Sequence, residues 1–281
     1  MTRRIKNIVF DLGGVVVGYD PKDFLIRCFC NKKTEDYLYS LIFGSELWQK
    51  LDEGTVTREE ANETFLKKAR KDGYLFEAQT VLDDWKSMLK PKADTVALIK
   101  MLRQNGYHIY YLSNLAADVA VEFKRQPKFQ RLFDGGVISS EEKLLKPDPA
   151  IFTRLLERCG LIASETLFCD DNKENAAAAA QAGILGVQFL GAKNFQKLLK
   201  GYGVRACPPK ELQKQEKAVH TAHKEPKQKE SIKKHFERAE KSAGEKKVKK
   251  PIVRKPAAES RKKPSVFDRK HREEDQDGLR E

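Results

Sequence analysis

The sequence predicts an α/β fold, in which a doubly wound parallel sheet carries an inserted helical segment and is followed by a disordered basic tail. Short apolar runs alternate with segments of helical periodicity through residues 91–207, which is the pattern of a parallel sheet covered by helices on both faces. Residues 12–107 separate the first two predicted strands, far more than a crossover connection needs. Beyond residue 207 the apolar residues are too sparse to form a core.

The predicted elements follow from apolar spacing. The first strand is the apolar run Ile8–Phe10 with Asp11 as its last residue. The long connection after it shows helical spacing, and Thr57 with Glu60 has the spacing of a capping box. Its predicted helices are Phe24–Phe29, Glu35–Phe43, Arg58–Arg70 and Glu77–Leu89. The later strands are His108–Asn114, Gly136–Ser139, Thr166–Asp170 and Leu185–Leu190, and the helices around them are Ala93–Gln104, Asp118–Lys124, Ala150–Cys159 and one that ends at Ala182.

The predicted domains are an α/β core of residues 1–17 and 91–207, a helical domain of residues 18–90 and a tail of residues 208–281. The tail holds 23 Lys and Arg against 14 Asp and Glu, so it carries +9 of the chain's formal net charge of +13. Its basic runs, Lys246–Lys250 and Arg261–Lys263, are typical of nucleic-acid or nuclear-import patches. Nucleic acid or an acidic partner is therefore the expected partner of the tail, and a solvating tail without a partner is the alternative.

Cysteine usage and hydropathy favour a cytoplasmic protein. An odd number of cysteines without a signal peptide favours reduced thiols. No apolar stretch approaches the roughly 20 residues that cross a membrane, so we expect no membrane partner. The five cysteines, which show neither a Cys-x-x-Cys pair nor the spacing of a metal site, are Cys28, Cys30, Cys159, Cys169 and Cys207.

Asp11 is the first candidate functional residue. It directly follows the first apolar run and precedes Gly13 and Gly14. Ligands of open α/β sheets bind at the carboxyl ends of the strands, and glycines let the backbone turn sharply and approach a ligand closely. A helix cap or a turn is the alternative role for a single aspartate at a strand end.

Three later segments carry further polar groups after predicted strands or before a helix. Asp170 and Asp171 follow an apolar run, and carboxylates of this kind suit Mg²⁺, which proteins hold with one or two carboxylates, water and substrate phosphate. Ser113 and Asn114 end the second strand and can donate hydrogen bonds to a phosphate. Lys146 precedes a proline-containing turn into a helix. The alternatives are that Asp171 caps an alanine-rich helix and that Ser113 and Asn114 form an N-cap.

Together and in this order, the segments Asp-Leu-Gly-Gly-Val, Leu-Ser-Asn, Lys-Pro-Asp and Asp-Asp-Asn resemble the motifs of the haloacid dehalogenase-like hydrolase superfamily. The resemblance covers roughly Arg4 to Leu199. It is closest to the bacterial sugar-phosphatase branch, which includes enzymes acting on α-D-glucose 1-phosphate. It implies a Rossmann-like catalytic core, and the segment of residues 18–90 is similar to the family's helical cap, which closes over the site and selects substrates.

The resemblance also implies a role for each motif residue. Asp11 would be the nucleophile that becomes aspartyl-phosphate. Ser113 and Lys146 would hold the transferring phosphoryl group, with Asn114 as an auxiliary donor. The implied activity is a Mg²⁺-dependent phosphatase acting on a small phosphorylated metabolite, with a sugar phosphate as the first candidate. The implied metal ligands are Asp11, the carbonyl of Gly13, Asp170 and Asp171.

One position departs from the usual pattern of the superfamily. Most of its phosphatases carry a second aspartate two residues after the nucleophile, as general acid and then base, and here that position is Gly13. The sugar-phosphatase branch shares this glycine. General acid–base help is typically worth about 10²–10⁴ in rate, so its loss favours substrates with an acidic leaving oxygen, such as anomeric sugar phosphates. Asp20 is a candidate substitute, although Asp20 and Pro21 also fit an N-cap followed by proline at the first helical position.

The sequence leaves two alternative functions open. A metal-free haloacid dehalogenase also uses an aspartate nucleophile, but the pair Asp170 and Asp171 argues against it. A catalytically weak pseudoenzyme, which binds nucleic acid or an acidic partner through the tail, is the second alternative. Gly13 and the tail favour it, and the other motifs argue against it.

Overall fold

The central feature of the fold is a five-stranded parallel sheet in the order β3-β2-β1-β4-β5. A computed structural model gives the structure of residues 4–208. The strands are β1 Asn7–Phe10, β2 His108–Ser113, β3 Gly135–Ile138, β4 Thr166–Asp170 and β5 Leu185–Gln188. The strand order reverses between the β2–β3 side and the β4–β5 side, so the carboxyl ends of β1 and β4 lie at the switch point where open α/β sheets bind ligands. The predicted α/β fold is confirmed.

The long connection between β1 and β2 is helical, as its apolar spacing predicts. Its helices are α1 Pro21–Phe29, α2 Lys32–Leu38, α3 Glu46–Glu53, α4 Arg58–Asp72 and α5 Leu75–Asp84, with a π-helical turn at Tyr39–Phe43 and a 3₁₀ turn at Trp85–Met88. The capping box of α4 is present, since the Thr57 backbone N–H donates to Glu60 Oε2 at 2.9 Å and the Glu60 N–H donates to Thr57 Oγ1 at 3.2 Å. Helix α3 was not predicted, although Leu47, Trp48 and Leu51 have helical spacing and Ser45 and Gly54 cap the helix.

Helices cover both faces of the sheet. The core helices are α6 Ala93–Gln104, α7 Ala117–Arg125, α8 Pro127–Gln130, α9 Ser139–Glu142, α10 Pro149–Cys159, α11 Lys173–Ala178 and α12 Ala192–Gly201. Every residue of β1 is buried. On one face Phe10 packs edge-on against Phe195 of α12; Val9 belongs to the cluster on the other face, with Phe152 of α10. Alternating residues of one strand thus reach opposite layers, as a doubly wound sheet requires.

The segments that lead into and out of the helical insertion pair with each other. The Gly18 N–H donates to the Lys90 carbonyl at 2.8 Å, and the Lys92 N–H donates to the Val16 carbonyl at 2.8 Å. These pairs lie beside the predicted boundaries at residues 17 and 91. The division into a core domain and a helical domain itself stays a prediction.

Apart from Pro208, the predicted tail of residues 208–281 lies outside the described residues, and so do its basic runs and its expected nucleic-acid or acidic partner. The five cysteines all have free thiols. No helix within residues 4–208 combines the length and the apolar character needed to cross a membrane.

Candidate active site

Four motifs that are far apart in the sequence meet at the carboxyl edge of the sheet. The parallel register aligns Phe10 of β1 with Tyr111 of β2 and with Cys169 of β4. The polar residues at the carboxyl ends of these strands, Asp11, Ser113 and Asp170, are therefore brought to the same edge. The motif residues that line one cavity there are Asp11, Gly13, Ser113, Asn114, Lys146, Asp170 and Asp171.

Lys146 is the centre of a buried ion-pair network. Its Nζ lies 2.8 Å from Asp11 Oδ1 and 2.6 Å from Asp170 Oδ2, and it donates to the Leu112 carbonyl at 3.0 Å. These partners satisfy the three donors of an ammonium group. Burial by itself lowers the pKa of Lys146, but the two carboxylates outweigh it and raise that pKa above its ordinary value. Lys146 is therefore a fixed positive charge beside Asp11.

Asn114 holds the loop that carries Lys146. Its Oδ1 accepts from the Lys146 backbone N–H at 2.8 Å, and its Nδ2 donates to the Lys146 carbonyl at 2.9 Å. These bonds give Asn114 a positioning role, and its predicted role as a phosphate donor stays a prediction. Helix α7 has Ala116 at its N-cap, so the N-cap alternative for Ser113 and Asn114 is wrong.

The two adjacent aspartates have different surroundings. Asp170 is buried, and its carboxylate accepts from the Asn172 N–H at 2.8 Å and from Asn175 Nδ2 at 3.2 Å. Asp171 is exposed at the edge of the cavity. The cap of α11 is Asn172, whose side chain accepts from the Glu174 N–H at 2.7 Å. The alternative that Asp171 caps this helix is therefore wrong.

Gly14 makes room for Asp171. It has a positive φ of +71°, and a Cβ atom at this position would lie 2.0 Å from Asp171 Oδ2. Lys92 Nζ donates to the Gly14 carbonyl. Burial and the neighbouring Asp170 raise the pKa of Asp171, while the positive charges of Lys146 and Lys92 lower it. Sequence reasoning missed Lys92, because one lysine among 54 Lys and Arg forms no pattern.

The three aspartates fit a divalent cation. One carboxylate oxygen each of Asp11, Asp170 and Asp171 can be chosen so that all lie within 4.8 Å of one another. The three carboxylates outnumber the ammonium groups of Lys146 and Lys92, which leaves an excess of negative charge that a cation would offset. Burial raises the pKa of Asp11 to about 7, against the lowering effect of Lys146. Oxygen-only donors are the ligands that Mg²⁺ prefers. Gly13, whose carbonyl is a predicted ligand, lines the same cavity.

The cavity has a volume of about 190 Å³, and the helical insertion supplies much of its wall. Two charged residues of the insertion, Asp52 and Arg58, also line it. Sequence reasoning missed both, since neither belongs to a recognisable motif. The aromatic and larger apolar residues of the wall include Val17, Tyr19, Trp48, Trp85, Leu89, Val119 and Phe123.

Asp20 has a structural role. Its Oδ1 accepts from the Asp23 N–H at 3.0 Å, and Pro21 is the first residue of α1. The N-cap interpretation is confirmed. Asp20 is exposed and is not among the described residues that line the cavity.

Comparison with known proteins agrees with the motifs. The profile of the haloacid dehalogenase-like hydrolase family matches residues 5–183. A sesquiterpene phosphatase of Aspergillus oryzae is 25% identical over 189 residues, which cover 67% of this chain and 92% of that protein. A D-ribitol-5-phosphate phosphatase of Bacteroides thetaiotaomicron is 30% identical over 192 residues, which cover 64% of this chain and 89% of that protein.

Solved structures show the same fold. The crystal structure of a dehalogenase has a TM-score of 0.54 and 18% identity, over 69% of this chain and 97% of that one. A family enzyme from Bacteroides thetaiotaomicron, solved as a magnesium complex, has a TM-score of 0.50 and 24% identity, over 66% of this chain and 93% of that one. Because the family profile spans most of the described residues and the four motifs meet at one sheet edge, this chain belongs to the haloacid dehalogenase-like hydrolase family.

Proposed function

We propose that this hydrolase is a Mg²⁺-dependent phosphatase that cleaves a small phosphorylated metabolite through an aspartyl-phosphate on Asp11. The observation that carries the proposal is the cluster of Asp11, Asp170 and Asp171 around Lys146. A carboxylate can act as a covalent nucleophile. Expulsion of a halide needs no metal, so the acidic pair favours a phosphatase over a dehalogenase.

Each residue has its own task in the proposed reaction. The carboxylate of Asp11 attacks phosphorus, and the bond from phosphorus to the leaving oxygen breaks. Lys146 offsets the repulsion between Asp11 and the anionic substrate, and the Ser113 hydroxyl donates to a phosphoryl oxygen. Water then hydrolyses the aspartyl-phosphate and releases Asp11. The three aspartates and the Gly13 carbonyl would hold Mg²⁺, and the bound ion would supply positive charge that offsets the charge on the transferring phosphoryl group.

The burial of the site supports this assignment. Lys146 and Asp170 have side chains that are 2% and 0% exposed, so their charges act in an environment with little water. Fixed charges in such a site stabilise a transition state more strongly than they would in bulk water. Phosphoryl transfer depends mainly on positioning and electrostatic stabilisation, which these residues can supply.

A sugar phosphate is the first candidate substrate. The motifs resemble the sugar-phosphatase branch, including enzymes that act on α-D-glucose 1-phosphate, and one relative is a ribitol-phosphate phosphatase. An organic phosphate with an apolar leaving group is the second candidate. The aromatic wall of Trp48 and Trp85 favours it, and another relative is a sesquiterpene phosphatase.

The experiment is to assay the purified full-length protein on sugar phosphates, isoprenyl phosphates and 2-chloropropionate, each with Mg²⁺ and with excess EDTA. We expect phosphate release that requires Mg²⁺, and the favoured ester identifies the substrate class. Full-rate phosphate release in excess EDTA would contradict the Mg²⁺ assignment. Halide release in EDTA would favour the dehalogenase, and a folded protein without turnover would favour the pseudoenzyme.

A further inference from the structure

The proposed reaction needs a proton for the leaving oxygen, and the usual source is absent. Gly13 stands where most phosphatases of the superfamily carry a general acid. The substitute suggested by the sequence, Asp20, caps α1 and does not line the cavity. A substitute acid has to be a carboxyl or another titratable group on the cavity wall, because proton transfer needs hydrogen-bond reach.

Asp52 is a carboxyl on that wall, and its backbone is held against the core. The Ser139 Oγ donates to the Asp52 carbonyl and accepts from the Leu115 N–H at 2.8 Å. Close by, Lys143 Nζ donates to the carbonyl of Gly54, the C-cap of α3. These bonds anchor the end of α3 to residues of the core, so the position of Asp52 relative to the sheet edge is defined.

The geometry points to Asp52 as the general acid of the first step and the general base of the second, an inference that rests on the proposed phosphatase function. Asp52 and Asp11 line the same cavity of about 190 Å³. In a cavity this small, one bound ester can contact both carboxyl groups. Asp52 belongs to the helical insertion and Asp11 directly follows β1, so the leaving group would be enclosed between them.

The charges around Asp52 support this role. Burial raises the pKa of Asp52 to about 7; Arg58, a hydrogen bond from the Ala116 backbone and Lys146 lower it, and Asp118 raises it. A carboxyl that titrates near neutral pH can both donate and accept a proton. The titratable and charged groups that face Asp52 are Tyr19, Arg58, Asp118 and Lys146.

Arg58 is engaged by Asp118 and by two tryptophan rings. Its Nε and Nη2 each lie 3.2 Å from an oxygen of Asp118. Its guanidinium carbon lies 4.9 Å from the ring centroid of Trp48 and 5.1 Å from that of Trp85. Asp118 therefore competes with Asp52 for the positive charge of Arg58, which still lowers the pKa of Asp52.

The proposed proton transfers balance across both steps. In the first step, Asp11 forms a bond to phosphorus, the bond from phosphorus to the leaving oxygen breaks, and that oxygen takes the proton of Asp52. In the second step, Asp52 as carboxylate takes a proton from water while the water oxygen bonds to phosphorus. The bond between phosphorus and Asp11 breaks, and inorganic phosphate leaves with Asp52 protonated again.

The test compares two esters of nearly the same shape, phenyl phosphate and 4-nitrophenyl phosphate, in wild type and in Asp52→Asn. The 4-nitrophenolate ion leaves without a proton, whereas phenolate gains more from one. We expect Asp52→Asn to lower kcat/KM for phenyl phosphate by about 10²-fold or more and to lower it much less for 4-nitrophenyl phosphate. The inference is supported if the ratio of kcat/KM for 4-nitrophenyl phosphate to kcat/KM for phenyl phosphate is at least about tenfold higher in Asp52→Asn than in wild type.

Asp20→Asn is the matched control, because asparagine caps helices as well as aspartate does. It should leave the ratio unchanged. Equal losses on both esters in Asp52→Asn, or no loss on either, would overturn the general-acid role while leaving the phosphatase intact. A changed ratio in Asp20→Asn would assign the acid to Asp20 instead. Absence of ester hydrolysis by the wild type would overturn the proposed function and this inference with it.

Discussion

A side chain at Gly14 and the carboxylate of Asp171 cannot occupy the same space, since a Cβ atom on Gly14 would lie 2.0 Å from Asp171 Oδ2. Gly14 follows β1 and Asp171 follows β4, so the glycine of one motif makes room for the acidic pair of another. The candidate metal site thus requires a glycine at position 14, and so does the positive φ of the backbone there.

We predict that Gly14→Ala displaces Asp171 and weakens metal binding. The concentration of Mg²⁺ that gives half-maximal activity should rise by about tenfold or more, a loss of about 1.4 kcal/mol in binding. Gly73→Ala is the matched control, because Gly73 also has a positive φ, of +84°, but nothing within 4 Å of its added Cβ. Both variants carry the backbone strain of alanine at positive φ. An equal Mg²⁺ requirement in both would contradict the steric explanation.

Asp11→Asn should abolish turnover and leave the fold intact. A neutral amide neither attacks phosphorus nor holds Mg²⁺ well, so we expect a loss of at least about 10³-fold in kcat. Activity on the favoured ester and thermal melting are the measurements. Substantial phosphatase activity in this variant would exclude Asp11 as the nucleophile. If the variant shows no melting transition, its inactivity says nothing about catalysis. The activity of Asp11→Glu, provided that this variant folds, then tests the role of Asp11.

Lys146→Met should make stability dependent on Mg²⁺. Removing the ammonium leaves Asp11 and Asp170 facing each other in a buried site, and breaking a buried pair in this way costs about 3–5 kcal/mol. Urea unfolding in EDTA measures this loss, and added Mg²⁺ should recover part of it. Lys32→Met is the control, because its ion pair with Asp36 is exposed and stability should hardly change. Equal stability of Lys146→Met with and without Mg²⁺ would argue against a metal beside these carboxylates.

Asp52→Asn should become more stable relative to wild type as the pH rises from about 4 to about 7. The pKa of Asp52 is raised from 3.8 to about 7 in the folded protein. Between these two pH values the unfolded chain has released the proton of Asp52 while the folded protein still holds it. The free energy of unfolding of the wild type therefore falls as the pH rises from about 4 to about 7. Three units correspond to at most about 4 kcal/mol, and the partial exposure of Asp52 reduces this figure. Urea unfolding in EDTA at several pH values checks the trend. A constant difference between the two proteins would contradict the raised pKa.

Elements with strong local signals agree with their predictions. Helix α6 at Ala93–Gln104 and strand β4 at Thr166–Asp170 have the predicted bounds, because apolar spacing and flanking polar residues define them within a few positions. Helix α12 has no counterpart in the prediction, although its buried residues Ala192, Phe195 and Leu199 have helical spacing and could have identified it. Helix α3 likewise carried local signals in its caps, Ser45 and Gly54.

The candidate site likewise contains residues that the sequence identified and residues that only the structure identified. Asp11, Ser113, Lys146 and the acidic pair could be named from the order of four motifs, because each motif is a short local pattern beside a strand or a helix. The groups that complete the site, Lys92 and Asn175 beside the aspartates and Asp52 and Arg58 on the cavity wall, lie outside those motifs. They could not be found without coordinates.

Local patterns in the chain are thus enough to define the α/β class, the helical insertion and the family, since periodicity, capping and turn chemistry act between residues close in sequence. Other properties depend on how distant segments pack. The sheet register aligns the end of β1 with those of β2 and β4, and only that alignment lets Lys146 contact Asp11 and Asp170 together. The packing of α3 against the core likewise decides that Asp52, and not Asp20, reaches the cavity, because a residue's distance from the site depends on the whole fold.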